Sequence, residues 1–270
     1  MRWLMDFKEF KQRIYRRFGL YLEGYKEPQL KRRIESLMFS LNVQSYQEYW
    51  ELLNRDPDQW QRFVDKITIN VSEFFRNPEL FQRLEKEILP ELLKRRQVLK
   101  IWSAACADGP EPYSVAIILK ELTPKVRHRI EATDVDLGAL EAARRGIYPR
   151  RAVQAVSPER LRRYFRQEGE NFHLVPEIKE LVTFRQHDLL SDPYGQDYDL
   201  ILCRNVTIYF TTEVQDRLYR QFYKSLAPGG VLFIGATESI FQYREIGFEK
   251  LAPWFYRRPE EARKWGLGIT

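Results

Sequence analysis

Cysteine is nearly absent from the 270 residues: there are two, Cys106 and Cys203. Two thiols exclude a disulfide framework, and neither has metal-ligand spacing with the three histidines, His128, His173 and His187. No metal site is expected, and both thiols are expected as small buried residues at strand ends in a reducing, cytoplasmic setting. Long apolar runs are missing as well, so no membrane insertion is expected. Within residues 1–13, Asp6, Lys8, Glu9 and Lys11 interrupt the apolar positions, which excludes the uninterrupted core of a signal peptide. Core material is plentiful. With 44% hydrophobic and 14% aromatic residues the chain can fill an α/β domain plus something smaller. A formal net charge of +6 predicts an acidic partner, either nucleic acid or an acidic protein surface.

The organising stretch is residues 99–114. An apolar run over 98–105 gives way to Asp108, Gly109 and Pro110, and a helical pattern starts near Pro112 and continues through Leu119. Strand, tight loop and helix in this order form the unit at which α/β folds bind ligands. The loop has neither the G-x-G-x-x-G of a dinucleotide site nor the Lys and Ser/Thr of a P-loop. It offers one glycine and two carboxylates, Asp108 and Glu111, which repel phosphate and suit a cationic or hydroxyl-rich ligand. S-adenosylmethionine, with a ribose, an amino acid head, a sulfonium and no phosphate, has that chemistry. Glu111 also has a plain structural reading, as an acid in the first turn of a helix.

Residues 1–68 read as a helical domain: Phe7, Phe10, Ile14 and Phe18, then Leu30, Ile34, Leu37, Met38 and Leu41, recur at three- and four-residue intervals. Two further helices follow around Tyr49 and Phe63. Basic residues concentrate on the first two helices, at Lys11, Arg13, Arg16, Arg17, Lys26, Lys31, Arg32 and Arg33, forming either a solvated face or a docking face. Residues 69–97 connect the domains, and their opening I-T-I-N-V-S-E-F-F-R-N-P interleaves polar with apolar positions. Phe74 and Phe75 are expected to anchor it on the main domain, leaving Asn70, Ser72 and Arg76 to face a cleft. The alternative is a capped surface helix, opened by Pro78 and running through Leu89.

Residues 98–270 read as the main domain. A second strand over 129–136 ends in acids. Asp134 takes the position that hydrogen-bonds a ribose diol, and Asp136 is the N-cap of a helix over Leu137–Arg145. Residues 147–180 break the α/β alternation with a helix over 157–167 and a short strand over 172–175, which predicts an inserted antiparallel β-subdomain. Residues 181–189 re-enter the main sheet. Tyr198–Cys203 is a buried strand by composition and delivers Arg204, Asn205 and Tyr209 to its carboxyl end, where substrate and cofactor should meet. A helix over 212–226, a strand over 231–236 and a closing antiparallel edge over 248–257, where Pro253 is tolerated, complete the expectation.

Five motifs in order, N-V-S-E-F-F-R at 70–76, W-S-A-A-C-A-D-G-P-E-P-Y-S at 102–114, A-T-D-V-D at 132–136, C-R-N-V-T-I-Y-F at 203–210 and G-G-V-L-F-I-G-A-T-E at 229–238, resemble the CheR family of chemotaxis methyltransferases. The resemblance covers nearly the whole chain. It implies an α/β fold with a class I (Rossmann-like) methyltransferase domain, an N-terminal helical domain and a small inserted antiparallel β-subdomain. It also implies S-adenosylmethionine as methyl donor, S-adenosylhomocysteine as product, and glutamates of the chemoreceptor cytoplasmic domain, an acidic helical bundle, as substrate. Carried over by position, it implies cofactor contacts from Asn70, Ser72, Arg76, Glu111, Asp134, Asp188, Leu189, Asn205 and Val206. Three positions depart from the family pattern: Ser72 stands for Thr and keeps the hydroxyl, Pro110 replaces the first of two glutamates, and A-T-E at 236–238 replaces H-S-E. The loop E-G-E-N-F-H resembles the shorter form found in relatives that recognise receptors without gripping a C-terminal tether.

A sulfonium methyl is already activated, and a carboxylate with an unperturbed pKa near 4.3 is already anionic at neutral pH, so no general base is required. Alignment and dehydration of the carboxylate are the tasks that remain. Arg76 is the expected catalytic residue that orients it, because a guanidinium fork matches a carboxylate. Tyr209 is the second, as a hydrogen-bond donor, with simple packing as its other reading. The basic helices then face acidic receptor helices. Nucleic acid is not the expected partner, since R-N-V-T stands where amino-group methylases carry an N/D-P-P-Y type motif. A monomer is expected. Carboxyl methylation of another acidic protein or a small carboxylate, and a catalytically silent S-adenosylmethionine sensor, remain open.

Overall fold

The computed structural model describes residues 5–68 and 72–260. It opens with four helices, α1 (Phe7–Phe18), α2 (Glu27–Ser40), α3 (Tyr46–Arg55) and α4 (Pro57–Thr68). Short polar side chains start three of them: Asp6 accepts from Glu9 N, Ser45 from Glu48 N, and Asp56 from Asp58 N and Gln59 N. Gly19 ends α1 by taking φ 74° and donating its N–H back to Tyr15 O. The apolar stripes converge on Phe10, Ile14, Ile34, Tyr49, Phe63 and Ile67, all buried, with Phe18 stacked on Trp60 at 3.8 Å.

From Pro78 the chain is helical through Arg95, as α5 (Pro78–Arg83), a π-helical turn (Leu84–Ile88) and α6 (Leu89–Arg95). The helix therefore runs past the expected Leu89. Its π turn has a local cause. Pro90 has no N–H for the usual i→i−4 bond, and Leu89 N bonds instead to Leu84 O.

The rest alternates as β1 (Lys100–Ala104), α7 (Pro110–Leu122), β2 (Arg129–Asp134), α8 (Leu137–Arg145), β3 (Ile147–Pro149), α9 (Pro158–Tyr164), β4 (Phe165–Glu168), β5 (Asn171–Leu174), α10 (Pro176–Lys179), β6 (Val182–Gln186), β7 (Tyr198–Cys203), α11 (Thr212–Ser225), β8 (Leu226–Ile234), α12 (Tyr243–Ile246), β9 (Glu249–Ala252) and β10 (Phe255–Arg257). The main sheet has seven strands in the order β6-β2-β1-β7-β8-β10-β9. Its first five strands pair in parallel, and β10 is antiparallel to both neighbours. Chain direction switches sides between β1 and β7, which opens a crevice at their carboxyl ends. A second, antiparallel sheet, β3-β5-β4, lies between α8 and β6 in the chain. It shares a core with α7, through Tyr148, Phe165 and Phe172 on one side and Ile117 and Ile118 on the other. Covered so fully, α7 carries the unbroken run V-A-I-I-L rather than a stripe.

Several expected boundaries shift. The helix expected over 157–167 ends at Tyr164, because Phe165–Glu168 pairs with Asn171–Leu174 across a two-residue turn at Gly169 and Glu170. The second strand stops at Asp134, where Asp136 begins to cap α8. The strand expected from Val231 already begins at Leu226 and takes in Pro228-Gly229-Gly230 with a register shift against β7, and it ends at Ile234. The single closing edge is instead a hairpin. Pro253 and Trp254 form its turn, with Trp254 at φ 67°, β10 is interior and β9 is the edge.

Candidate active site

The loops after β1, β2, β6 and β7, with the segment from Ser72 to Arg76, enclose a cavity of about 350 Å³. That size suits a small-molecule ligand. The loop after β1 folds back on β2: Ala105 N and Cys106 N both donate to Thr133 O, at 2.8 and 2.9 Å. This turn holds Ala105 at φ 87° and Ala107 at φ 48°, left-handed conformations that alanine rarely adopts. Asp134 helps hold it, since Oδ2 accepts from Ala107 N at 2.8 Å and Oδ1 from Asp136 N at 3.0 Å. Gly109, at φ 95°, then starts α7 against α8, with no room for a side chain beside Ala143.

Three carboxylates at the strand ends, with Glu73 of the interdomain segment as a fourth in the lining, form the acidic wall. Asp134 is buried, and burial pushes its carboxyl up to about 6 against the pull of its backbone hydrogen bonds. Glu111 accepts from Ser103 Oγ at 2.8 Å and lies 3.4 Å from an Arg204 nitrogen, yet burial still raises its pKa. Asp188 accepts from Leu190 N at 2.8 Å and from Tyr21 N of the helical domain at 3.2 Å, and is likewise raised by burial. Asp108 turns elsewhere, accepting from Ser72 Oγ at 2.6 Å.

The interdomain segment is anchored as its pattern suggests. Phe74 is fully buried, edge-on to Tyr148 and Phe165 at 4.9 and 5.0 Å, and Phe75 N donates to Ser114 Oγ at 3.0 Å. Arg204, expected where substrate and cofactor meet, does line the cavity, and it is also a buried tie in the wall. Its guanidinium donates to Arg76 O at 2.9 Å and Asn77 Oδ1 at 3.0 Å and lies 4.6 Å from the Phe233 ring, and desolvation lowers its pKa.

Ser72, Arg76, Glu111, Asp134, Asp188, Leu189, Asn205, Val206 and Tyr209 all line this one cavity, and Asn70 lies outside the described residues. Tyr209 is held from the helical domain: its carbonyl accepts from Lys26 N at 2.9 Å, and the Arg33 guanidinium sits 4.8 Å from its ring centre. Asn205, at φ 62°, depends on a residue for which the sequence suggested no role. Glu238, 4% exposed, accepts from Asn205 N at 2.9 Å and Gly235 N at 2.6 Å through Oε2. Through Oε1 it accepts from Val206 N at 3.1 Å, Thr207 N at 2.8 Å and Thr207 Oγ1 at 2.7 Å. Its signals were an acid just beyond an apolar strand and its place at the end of the motif over 229–238. Tyr25, also in the cavity wall, had no signal, because its loop belongs to the other domain.

The donor set can be tested against S-adenosylmethionine. Glu73, Glu111, Asp134 and Asp188 outnumber Arg76 and Arg204 in the lining, so the cavity favours a cation and hydroxyl donors over phosphate, and the residues fit. Strand order, crevice and acceptor-rich cavity together define a class I S-adenosylmethionine-dependent methyltransferase. Residues 5–68 match the model of the CheR methyltransferase all-alpha domain, and residues 70–253 that of the CheR methyltransferase SAM binding domain. The chain belongs to the CheR methyltransferase family. It is 40% identical over 252 residues to a chemotaxis protein methyltransferase of Listeria innocua, covering 93% of this chain and 96% of that one. With chemotaxis protein methyltransferase 2 of Pseudomonas aeruginosa it shares 37% identity, covering 87% and 86%. With the chemotaxis protein methyltransferase of Escherichia coli it shares 34%, covering 90% and 86%. No described helix is long and apolar enough to cross a membrane.

Proposed function

We propose that the chain methylates glutamate side chains of chemoreceptors, acting in the cytoplasm as a monomer and leaving glutamate methyl esters and S-adenosylhomocysteine. The observation that carries this reading is the presence of Arg76 and Tyr209 in the same cavity as the acidic wall. The names of the relatives support the chemotactic setting. When bound, S-adenosylmethionine supplies a methyl group already activated by the sulfonium. Asp134 holds the ribose hydroxyls, with Glu111, Asp188, Leu189, Asn205, Val206, Ser72 and Asn70 completing the cofactor site. Arg76 orients the substrate carboxylate through two N–H donors and helps replace its water, and Tyr209 donates a further hydrogen bond. No residue needs to remove a proton, because the glutamate is already ionised.

The basic helices provide the receptor face in reduced form. Lys11 is buried and paired with Glu27 at 2.7 Å, and Arg33 is turned onto Tyr209. Arg16, Arg17, Lys31 and Arg32 remain exposed and supply the charge that steers an acidic helical bundle. The test is transfer of labelled methyl from S-adenosylmethionine to purified receptor cytoplasmic domain, followed by base. Label released as methanol is the expected result, lost in Arg76→Ala. Tight S-adenosylhomocysteine binding with no base-labile label on the receptor would overturn the glutamate reading and leave another carboxylate or a sensor.

A further inference from the structure

The loop between α1 and α2, residues 19–26, belongs to the helical domain yet is fastened to the rim of the cavity. Tyr21 N donates to Asp188 Oδ2 at 3.2 Å, Thr211 N donates to Gly24 O at 3.0 Å, and Lys26 N donates to Tyr209 O at 2.9 Å. Between them Tyr25 forms an antiparallel bridge with Phe210. Packing is tight enough that a Cβ on Gly24 would lie 2.9 Å from Leu190 Cδ1. These contacts bring Tyr25 into the cavity wall, its ring edge-on to Phe210 at 5.0 Å. No described residue makes a hydrogen bond to its hydroxyl, whereas Asp188, Glu111 and Asp134 are each at least partly engaged. Burial, with Asp188 and Asp134 adding to it, raises the pKa of the phenol above its ordinary value, so it stays a neutral donor.

We propose that Tyr25 is a cofactor-binding residue, supplied by the helical domain, that closes the nucleoside end of the pocket and donates its hydroxyl hydrogen bond to the nucleoside. The inference rests on the reading that S-adenosylmethionine occupies this cavity with its ribose at Asp134. A tyrosine is suited to the place, because its ring packs on the flat aromatic face of a base while its hydroxyl reaches a ring nitrogen or ribose oxygen. One consequence is thermodynamic. Cofactor binding and the docking of the helical domain both depend on residues 19–26, so each strengthens the other.

The test is calorimetric titration of the full chain with S-adenosylhomocysteine and with 5′-deoxy-5′-methylthioadenosine, which keeps the nucleoside and lacks the amino acid head. Tyr25→Phe, which retains the ring on Phe210, should weaken both ligands about fivefold, the worth of one ordinary hydrogen bond, and Tyr25→Ala about thirtyfold. In the wild-type chain, S-adenosylhomocysteine should slow amide hydrogen exchange across residues 19–26. Asp134→Asn serves as the reference. If it weakens both ligands while Tyr25→Phe stays within twofold of wild type, the inference fails and the pocket reading stands. If Asp134→Asn has no effect, the pocket reading fails and takes the inference with it. Weakening of S-adenosylhomocysteine without weakening of methylthioadenosine would put Tyr25 at the amino acid head and overturn the nucleoside assignment. Should Tyr25→Ala not fold, Tyr25→Phe decides.

Discussion

Replacing Glu238 with glutamine changes almost nothing in shape and much in hydrogen bonding. The carboxylate takes two N–H donors on Oε2, from Asn205 and Gly235, and three donors on Oε1, from Val206, Thr207 and the Thr207 hydroxyl. A glutamine keeps the larger set by leaving its oxygen at the Oε1 position. Its amide nitrogen then faces Asn205 N and Gly235 N, donor against donor. Two hydrogen bonds to a charged group, worth roughly 1.5–3 kcal/mol each, are lost, and the other three weaken from charged to neutral. Against that, a neutral amide costs less to bury than a carboxylate. The net expectation is a loss of about 3 kcal/mol in unfolding free energy, read from urea denaturation with an unchanged m-value. S-adenosylhomocysteine affinity should fall in the same variant, because Asn205 and Val206 line the cavity. A Glu238→Gln protein within about 1 kcal/mol of wild type would refute the assignment of this carboxylate as the anchor of the loop after β7.

The Asp134 carboxyl, near 6 rather than the ordinary 3.8, makes S-adenosylhomocysteine affinity rise about tenfold from pH 5 to pH 7, as the ionised acceptor goes from roughly one-tenth to nine-tenths populated. Titrations across that range should show the rise in wild type and lose it in Asp134→Asn, and a flat wild-type profile would contradict it. The unliganded chain carries the opposite slope: the folded state holds this proton more tightly than the unfolded state, so Asp134's contribution to stability declines as pH rises from about 4 to about 6. Phe74→Ala removes a fully buried ring that joins the interdomain segment to Tyr148 and Phe165, and should cost about 3–4 kcal/mol in thermal or urea unfolding. A cost below about 1 kcal/mol would mean that the segment is held by other contacts. Gly109→Ala puts a methyl 2.9 Å from Ala143 Cβ at φ 95°, so a loss of about 2 kcal/mol is expected, and undiminished stability would show that the turn relaxes freely.

Periodicity made much of the architecture legible. The four amino-terminal helices, Leu137–Arg145 and Tyr198–Cys203 stand where their apolar spacing puts them, because each buries one face or both in a core that the pattern reports. Residues 165–168 were not legible. Arg166, Gln167 and Glu168 suit a helix, and only pairing with Asn171–Leu174 makes them a strand. The closing hairpin was misjudged for a similar reason, since the turn at Pro253 and Trp254 is specified by which strand β10 pairs with.

The sequence alone determined the four amino-terminal helices, the alternation that carries the main sheet from β1 to β2 and from β7 to β8, the absence of a phosphate cradle, and acids at strand ends where an α/β fold presents ligand groups. Residue identity and local spacing suffice for these. Only the tertiary structure decided the directions and partners of the side chains. Arg204 ties the cavity wall to Arg76 O, Glu238 gathers five hydrogen bonds from the ends of its own strand and of β7, and Tyr25 reaches the cavity from another domain. Burial and hydrogen-bond satisfaction are properties of the packed assembly, so segments far apart in the chain had to meet before those roles existed.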